Sequence, residues 1–124
     1  MIPTEAQEQA TLFQWAGLMI GTYPELKLLH HIPNGGSRDV REAVNLKRQG
    51  VRAGVPDICL PVPRGGYHGL YIELKRTKGG RISVDQKTMM LALRDQGYEA
   101  VVCYGWEDAT NVIMKYLEGE KNER

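Results

Sequence analysis

The segment "GLYIELKR", residues 69–76, carries a carboxylate and an ammonium group inside an otherwise apolar run. Glu73 and Lys75 stand two residues apart, and side chains at that spacing in a β-strand point to the same face, about 6–7 Å from each other. Charged groups among apolar neighbours are costly to bury unless they are paired or bind a ligand. Because an exposed Glu-x-Lys pair is often only a salt bridge, a second indication of chemistry is needed.

Asp57 provides that second indication. It follows Pro56 at the start of "PDICLPV", a predicted strand that the loop "PRGGYH" joins to "GLYIELK". The paired glycines of this loop favour a hairpin, which would bring Asp57 close to Glu73 on the neighbouring strand. Two converging carboxylates repel each other unless a cation joins them, and carboxylates, a backbone carbonyl and water are the ligands of Mg²⁺ or Mn²⁺. On the same face, Lys75 could orient or deprotonate a water, or stabilise charge on a phosphate.

The remaining elements are predicted from periodicity and from cap residues. Residues 4 to about 22 are predicted to form an amphipathic helix capped by Thr4, and "LKLLHHIP" is predicted to form a short strand. The segment "RDVREAVNLKRQG" is predicted to form a helix that is capped by Ser37 and ends at Gly50. After the hairpin come a helix that begins at Ser83 and ends at Gly97, the strand "YEAVVCYG" and the helix "WEDATNVIMKYLEG". The order αβαββαβα indicates one mixed α/β domain whose sheet is covered by helices.

Composition agrees with a small globular domain. The chain has 124 residues, 42% of them hydrophobic, and a formal net charge of +1, which neither requires nor excludes a nucleic-acid partner. Cys59 and Cys103 lie in apolar runs, where we expect them to pack as small hydrophobic side chains in a reducing compartment. No apolar run has membrane-spanning length, so we expect a cytoplasmic protein without a membrane partner. The mixed-charge residues 119–124 are expected to fray.

In its ordered motifs the chain resembles the virus-type replication-repair nuclease (VRR-NUC) family, in the small stand-alone form common in phages and bacteria. The motifs are "TEAQEQ", "IPNGG", "KRQGVRAGVPD", "IELKR", "SVDQ" and "GYEAVVCYG". Pro56-Asp57 and Glu73-Leu74-Lys75 are similar to the PD-(D/E)xK nuclease signature. The resemblance implies a restriction-endonuclease-like core, a mixed central sheet flanked by helices, in one domain over residues 1–118.

The resemblance also implies roles for individual residues. Asp57 and Glu73 would hold Mg²⁺ or Mn²⁺ together with the backbone carbonyl of Leu74, and Lys75 would be the catalytic lysine. An acidic residue of the first helix completes the metal site in many relatives.

Three further positions follow from the same resemblance. Glu5 matches the position of the first-helix acid best, because Gln9 follows one turn later, and Glu8 is the competing candidate; either could instead only favour the N-terminal helix dipole. Gln86, in "SVDQ", matches a polar family position at the start of the helix after the Glu-x-Lys strand, which implies a catalytic role; the alternative is a solvated residue of a first helical turn.

Basic and polar residues of the middle of the chain are candidates for DNA contacts, although a solvated helix face is the alternative for most of them. These candidates are Asn34, Arg38, Lys47, Arg52 and Arg76. His30 and His31 are adjacent, so in a strand they face opposite sides and cannot easily share one metal. A structural role is favoured over the alternative that one of them faces the site. The loop "PRGGYH" lacks the lysine of a P-loop, so no nucleotide cofactor is expected.

Together these features predict metal-dependent hydrolysis of DNA phosphodiester bonds. Relatives of this small form are similar to homodimeric resolvases, which implies a homodimer that acts on branched DNA such as a four-way (Holliday) junction. The alternatives are a less selective nuclease for duplex or flap DNA, and a non-catalytic nucleic-acid-binding module. A purely structural interaction protein would leave the charged residues of the strand unexplained.

Overall fold

A four-stranded mixed sheet forms the centre of the computed structural model, which describes residues 1–33 and 39–121. The strand order is β1-β2-β3-β4. The pairs β1–β2 and β2–β3 are antiparallel, and β4 is parallel to β3. Over the described ranges the elements are α1 (Glu5–Met19), a 3₁₀ helix (Pro24–Leu28), β1 (His30–His31), α2 (Val40–Arg48), β2 (Ile58–Leu60), β3 (Leu70–Lys75), α3 (Val84–Asp95), β4 (Glu99–Tyr104) and α4 (Trp106–Leu117).

The predicted order αβαββαβα and the mixed α/β class are confirmed, with two local differences. The first strand is reduced to two residues, because Pro24 begins a 3₁₀ helix over the segment expected to be extended. The start of α2 was predicted wrongly: its N-cap is Asp39, whose side chain accepts a hydrogen bond from the Arg41 amide, whereas Ser37 lies outside the described residues. As predicted, α2 ends before Gly50, with the Val51 amide bonded to the Leu46 carbonyl at 2.9 Å.

The hairpin between β2 and β3 forms as the glycines predicted. Gly65 and Gly66 have φ angles of +58° and +87°, which suit a two-residue turn, and Arg64 and Tyr67 exchange backbone hydrogen bonds on either side. This turn fixes the register in which Ile58 lies opposite Ile72. Continued by one residue, the same register directs Asp57 towards Glu73.

The main core lies between one face of the sheet and the helices α1 and α4. Leu12 of α1 and Ile113 of α4 are fully buried against Ile72 and Leu74 of β3. Met90 of α3 and Ala100 of β4 are buried outside this core; by strand alternation Ala100 belongs to the opposite face, together with Glu73 and Lys75. One face of β3 therefore anchors the strand in the core, and the other carries its charged residues.

Three smaller expectations can be compared with the structure. Cys59 and Cys103 are both buried and unoxidised, in agreement with the expected packing role. Within the described residues no helix combines the length and the apolar character that crossing a membrane requires. Part of the predicted frayed tail is held by the hairpin, because the Glu120 carbonyl accepts a hydrogen bond from the Gly65 amide at 2.8 Å.

The loop before Asp57 packs closely against the start of α3. Gly54 has a φ of +85°, and a Cβ added there would lie 2.3 Å from the Asp85 carbonyl oxygen. This contact leaves no room for a side chain and joins the segment before Asp57 to the helix that follows β3.

We expect Gly54→Ala to lower the free energy of unfolding by about 3 kcal/mol, because it combines a steric clash with an unfavourable φ. Gly50→Ala is the matched control: its φ is +102° but nothing lies within 4 Å of an added Cβ, so only the backbone cost of about 1–2 kcal/mol applies. Urea denaturation of both variants measures the difference, and equal losses would show that the contact with Asp85 is unimportant.

Candidate active site

Glu73 and Lys75 are both buried on the face of β3 that turns away from the main core. Their residues are only 2% and 6% exposed, and the Lys75 Nζ atom lies 3.5 Å from the Glu73 Oε2 atom. The predicted side-by-side arrangement is therefore present, but in a far drier place than an ordinary surface salt bridge. In such surroundings the interaction between the two charges is strong and the loss of hydration is costly.

Asp57 reaches this pair from the neighbouring strand segment and is held at both its side chain and its backbone. Its Oδ2 atom accepts a hydrogen bond from the Leu74 amide at 3.0 Å. Its backbone carbonyl accepts one from the Ile32 amide at 2.6 Å and lies 2.9 Å from the Nδ1 atom of His31. The hairpin and β1 thus fix a second carboxylate beside Glu73.

The strand register places the two carboxylates opposite each other, and this changes the pKa of Glu73. Burial, followed by the hydrogen bond and the charge of Asp57, raises the pKa of Glu73 from 4.5 to about 8, and Lys75 opposes this shift only in part. When both carboxylates are ionised neither can donate to the other. Among the described residues the buried Oε1 atom of Glu73 has no hydrogen-bond partner. A cation between the two side chains would remove the repulsion and satisfy that oxygen, so the donor set fits a divalent metal.

The two first-helix glutamates differ sharply in environment. Glu5 is exposed, whereas Glu8 is 3% exposed and its Oε1 atom accepts a hydrogen bond from the Trp106 amide at 3.3 Å. Glu8 thereby caps α4, whose own N-cap residue, Gly105, has no side chain to do so. Its Oε2 atom is buried, and it has no hydrogen-bond partner among the described residues.

Neither glutamate is brought into a cluster with Asp57 and Glu73. Across residues 1–33 and 39–121, no group of three or more His, Cys, Asp and Glu side chains is arranged to hold a metal ion. The candidate ligands that the structure brings together are thus the Asp57–Glu73 pair and nearby backbone. Two carboxylates suffice for Mg²⁺, which usually keeps several of its waters.

Gln86 has a local structural role that the sequence analysis missed. Its Oε1 atom accepts a hydrogen bond from the Ser83 amide at 2.9 Å, while the Ser83 hydroxyl accepts one from the Gln86 amide at 3.1 Å. This reciprocal capping box was visible in the sequence as Ser-x-x-Gln before an apolar helix. Thr4 and Gln7 form the same motif at the start of α1.

The described candidates for DNA contacts are exposed. In the sequence they lie before Asp57 and directly after Lys75. Lys47 lies on α2, Arg52 on the segment that leads to Asp57, and Arg76 directly after β3. In the described part of the chain none of the three takes part in an ion pair. Asn34 and Arg38, the other two candidates, lie outside the described residues.

Comparison with known proteins agrees with this arrangement. A sequence model of the VRR-NUC domain matches residues 4–107, a range that contains Asp57, Glu73 and Lys75. A solved structure described as a VRR_NUC domain protein is similar to this chain with a TM-score of 0.84 and 31% sequence identity, covering 98% of this chain and 93% of that chain. No protein with a curated functional description gave a significant match.

In the metal-free protein we expect the free energy of unfolding to fall as the pH rises from about 4.5 to about 8. In the unfolded chain Glu73 loses its proton near 4.5, but in the folded protein its pKa is raised to about 8. Within this window the unfolded state binds fewer protons, so rising pH favours unfolding. Urea denaturation in chelator at a series of pH values measures this loss.

Glu73→Gln is the control that isolates this group, because it keeps the shape of the side chain and removes its ionisation. The difference in stability between wild type and variant should narrow towards low pH and change most across the stated window. Parallel pH profiles for the two proteins would contradict the assigned ionisation of Glu73.

Proposed function

The chain belongs to the VRR-NUC family, whose domain implies a nuclease of the PD-(D/E)xK type, and on this premise we propose that it is a metal-dependent endonuclease for branched DNA. The observation that carries the proposal is half-buried Asp57 beside buried Glu73, with buried Lys75 on the same face. Two acids held together against their repulsion, with a lysine on the same face, suit phosphodiester hydrolysis at a divalent cation.

The protein ligands of the cation would be Asp57, Glu73 and the Leu74 carbonyl. The Leu74 amide donates to Asp57, and in a strand the carbonyl of a residue points to the same side as its amide. The Leu74 carbonyl is thus directed to the Asp57 side of β3, while its side chain is anchored in the core. When bound, Mg²⁺ or Mn²⁺ would polarise the scissile phosphate and lower the pKa of a coordinated water.

Lys75 would act on the attacking water or on the phosphate. Its ammonium group lies 3.5 Å from Glu73 on the same face of β3, so it is held near the carboxylates rather than free in solvent. From there it can orient the water by a hydrogen bond, or stabilise negative charge on the phosphate.

A carboxylate of α1, either Glu5 or Glu8, is our candidate for completing the site, although among the described residues neither forms a metal-holding cluster with Asp57 and Glu73. Burial supports Glu8, because its Oε2 atom is withdrawn from solvent and has no hydrogen-bond partner in the described part of the chain, whereas Glu5 is exposed at the start of the helix. Gln86 would act nearby through its amide nitrogen, since its oxygen is occupied by the capping box.

For the substrate, the exposed basic residues support contacts with the DNA backbone. Lys47, Arg52 and Arg76 lie in segments on either side of the carboxylates in the chain, and contacts of this kind fix position and orientation without reading bases. Selection by DNA shape fits this arrangement, and a C2 homodimer would present two sites to the paired strands of a four-way junction. A less selective duplex or flap nuclease is the alternative.

We expect Lys75→Ala to reduce DNA cleavage by about 10²–10⁴-fold while Mn²⁺ binding stays close to that of wild type. Asp57→Asn should instead lose Mn²⁺ binding and cleavage together, although its side-chain oxygen can still accept from the Leu74 amide. Isothermal titration with Mn²⁺ and a gel cleavage assay separate the two effects. Lys27→Ala, an exposed lysine on the 3₁₀ helix, is the control; wild-type cleavage by Lys75→Ala would refute the catalytic role.

The substrate preference is tested with a labelled four-way junction beside a flap and a linear duplex that repeats the sequence of one arm. Paired cuts at the junction, dependent on Mg²⁺ or Mn²⁺ and absent in chelator, are the expected result. Light scattering should give the mass of a dimer. Equal cutting of every substrate would support the general nuclease instead, and tight junction binding without cutting would support the non-catalytic module.

A further inference from the structure

The backbone carbonyl of Asp57 is bonded by a side chain of the edge strand as well as by a backbone amide. The backbone carbonyl of Asp57 has the Ile32 amide at 2.6 Å and the Nδ1 atom of His31 at 2.9 Å. Both lone pairs of that oxygen are therefore used, and both partners come from the short segment around β1. The side-chain bond is additional to the strand pairing, in which His31 lies opposite Ile58.

The chemistry of this bond fixes the tautomer of the imidazole ring. A carbonyl oxygen can only accept, so Nδ1 of His31 must carry the proton and Nε2 is the unprotonated nitrogen of the neutral ring. Histidines that ligate a metal commonly donate the N–H of their other ring nitrogen to a backbone carbonyl or carboxylate. Here the donor acts on the carbonyl of a candidate ligand rather than on the metal.

We propose that His31 is a positioning residue for Asp57. The Nδ1–H bond of His31 fixes the peptide group that follows the Asp57 Cα atom. The Leu74 amide fixes the Asp57 carboxylate by a hydrogen bond of 3.0 Å to the Oδ2 atom. Asp57 is thus held from both neighbouring strands, which keeps its side chain directed towards Glu73 in spite of their repulsion. The inference rests on the proposed function, because a bound cation is what this orientation would serve.

The chain supplies a matched control in the preceding residue. His30 is also exposed, and its Nδ1 atom lies 2.9 Å from a backbone carbonyl, but that carbonyl belongs to Leu28 and not to the candidate site. Because both histidines are exposed, replacing either leaves no cavity in the core. A difference between the two substitutions would therefore report the bond to Asp57.

The experiment compares His31→Ala, His31→Asn, His31→Gln and His30→Ala by Mn²⁺ titration calorimetry, with urea denaturation to verify folding. An asparagine amide can take the place of Nδ1, and a glutamine amide that of Nε2. We expect His31→Ala to weaken Mn²⁺ binding roughly 10-fold, the lower end of the range for groups that orient metal ligands. His31→Asn should recover most of the Mn²⁺ affinity, whereas His31→Gln should bind as weakly as His31→Ala. His30→Ala should bind Mn²⁺ as wild type does.

A second readout needs no metal. In the His30→Ala protein at about pH 8, where an ordinary histidine is neutral, ring ¹⁵N NMR should show His31 with its proton on Nδ1. A proton on Nε2 would overturn the inference whether or not the protein binds metal or cuts DNA.

The remaining outcomes separate the inference from the function on which it rests. Unchanged Mn²⁺ affinity in His31→Ala would overturn the positioning role alone, as would recovery by His31→Gln but not by His31→Asn. A wild-type protein that binds no Mn²⁺ and cuts no DNA would overturn the proposed function, and the positioning role with it.

Discussion

The cost of ionising Glu73 beside Asp57 in a buried place is the constraint around which the rest of the structure is arranged. Glu73 is almost fully buried, and burial together with Asp57 raises its pKa to about 8. An arrangement of this kind persists only if the surrounding fold holds both groups in place. Lys75 offsets part of the free-energy cost of ionising Glu73. The stability of the sheet compensates for the remainder.

The sheet carries that cost by giving each acid its own support. Glu73 sits in β3, which has strands on both sides and core residues on its other face. Asp57 precedes β2 and is held through hydrogen bonds from the Leu74 amide and from the segment around β1. Gly54 adds a close contact with α3 just upstream. The two carboxylates are therefore kept together by elements that are stabilised elsewhere in the fold.

The sequence was sufficient to predict the features that depend on strong local signals. The hairpin glycines, the alternation in β3 and the placement of Asp57 opposite Glu73 followed from turn chemistry and strand geometry, and they position the candidate site. What depends on contacts distant in sequence could not be read. The bond from Trp106 to Glu8 joins the two ends of the chain, and the role of His31 requires the register of an edge strand only two residues long. Gln86 is a different case, because the Ser-x-x-Gln pattern of its capping box is local and stands in the sequence itself.

The two faces of β3 have a consequence for how the candidate site tolerates change. Ile72 and Leu74 alternate with Glu73 and Lys75, so a slip of β3 by one residue against its neighbours would drive both charges into the main core and expose both apolar side chains. The hydrophobic energy of the core thus selects the pairing in which the charged residues meet Asp57. Neighbouring apolar positions can exchange Ile, Leu and Val at modest cost, whereas an insertion or deletion within the strand would remove the site as a whole.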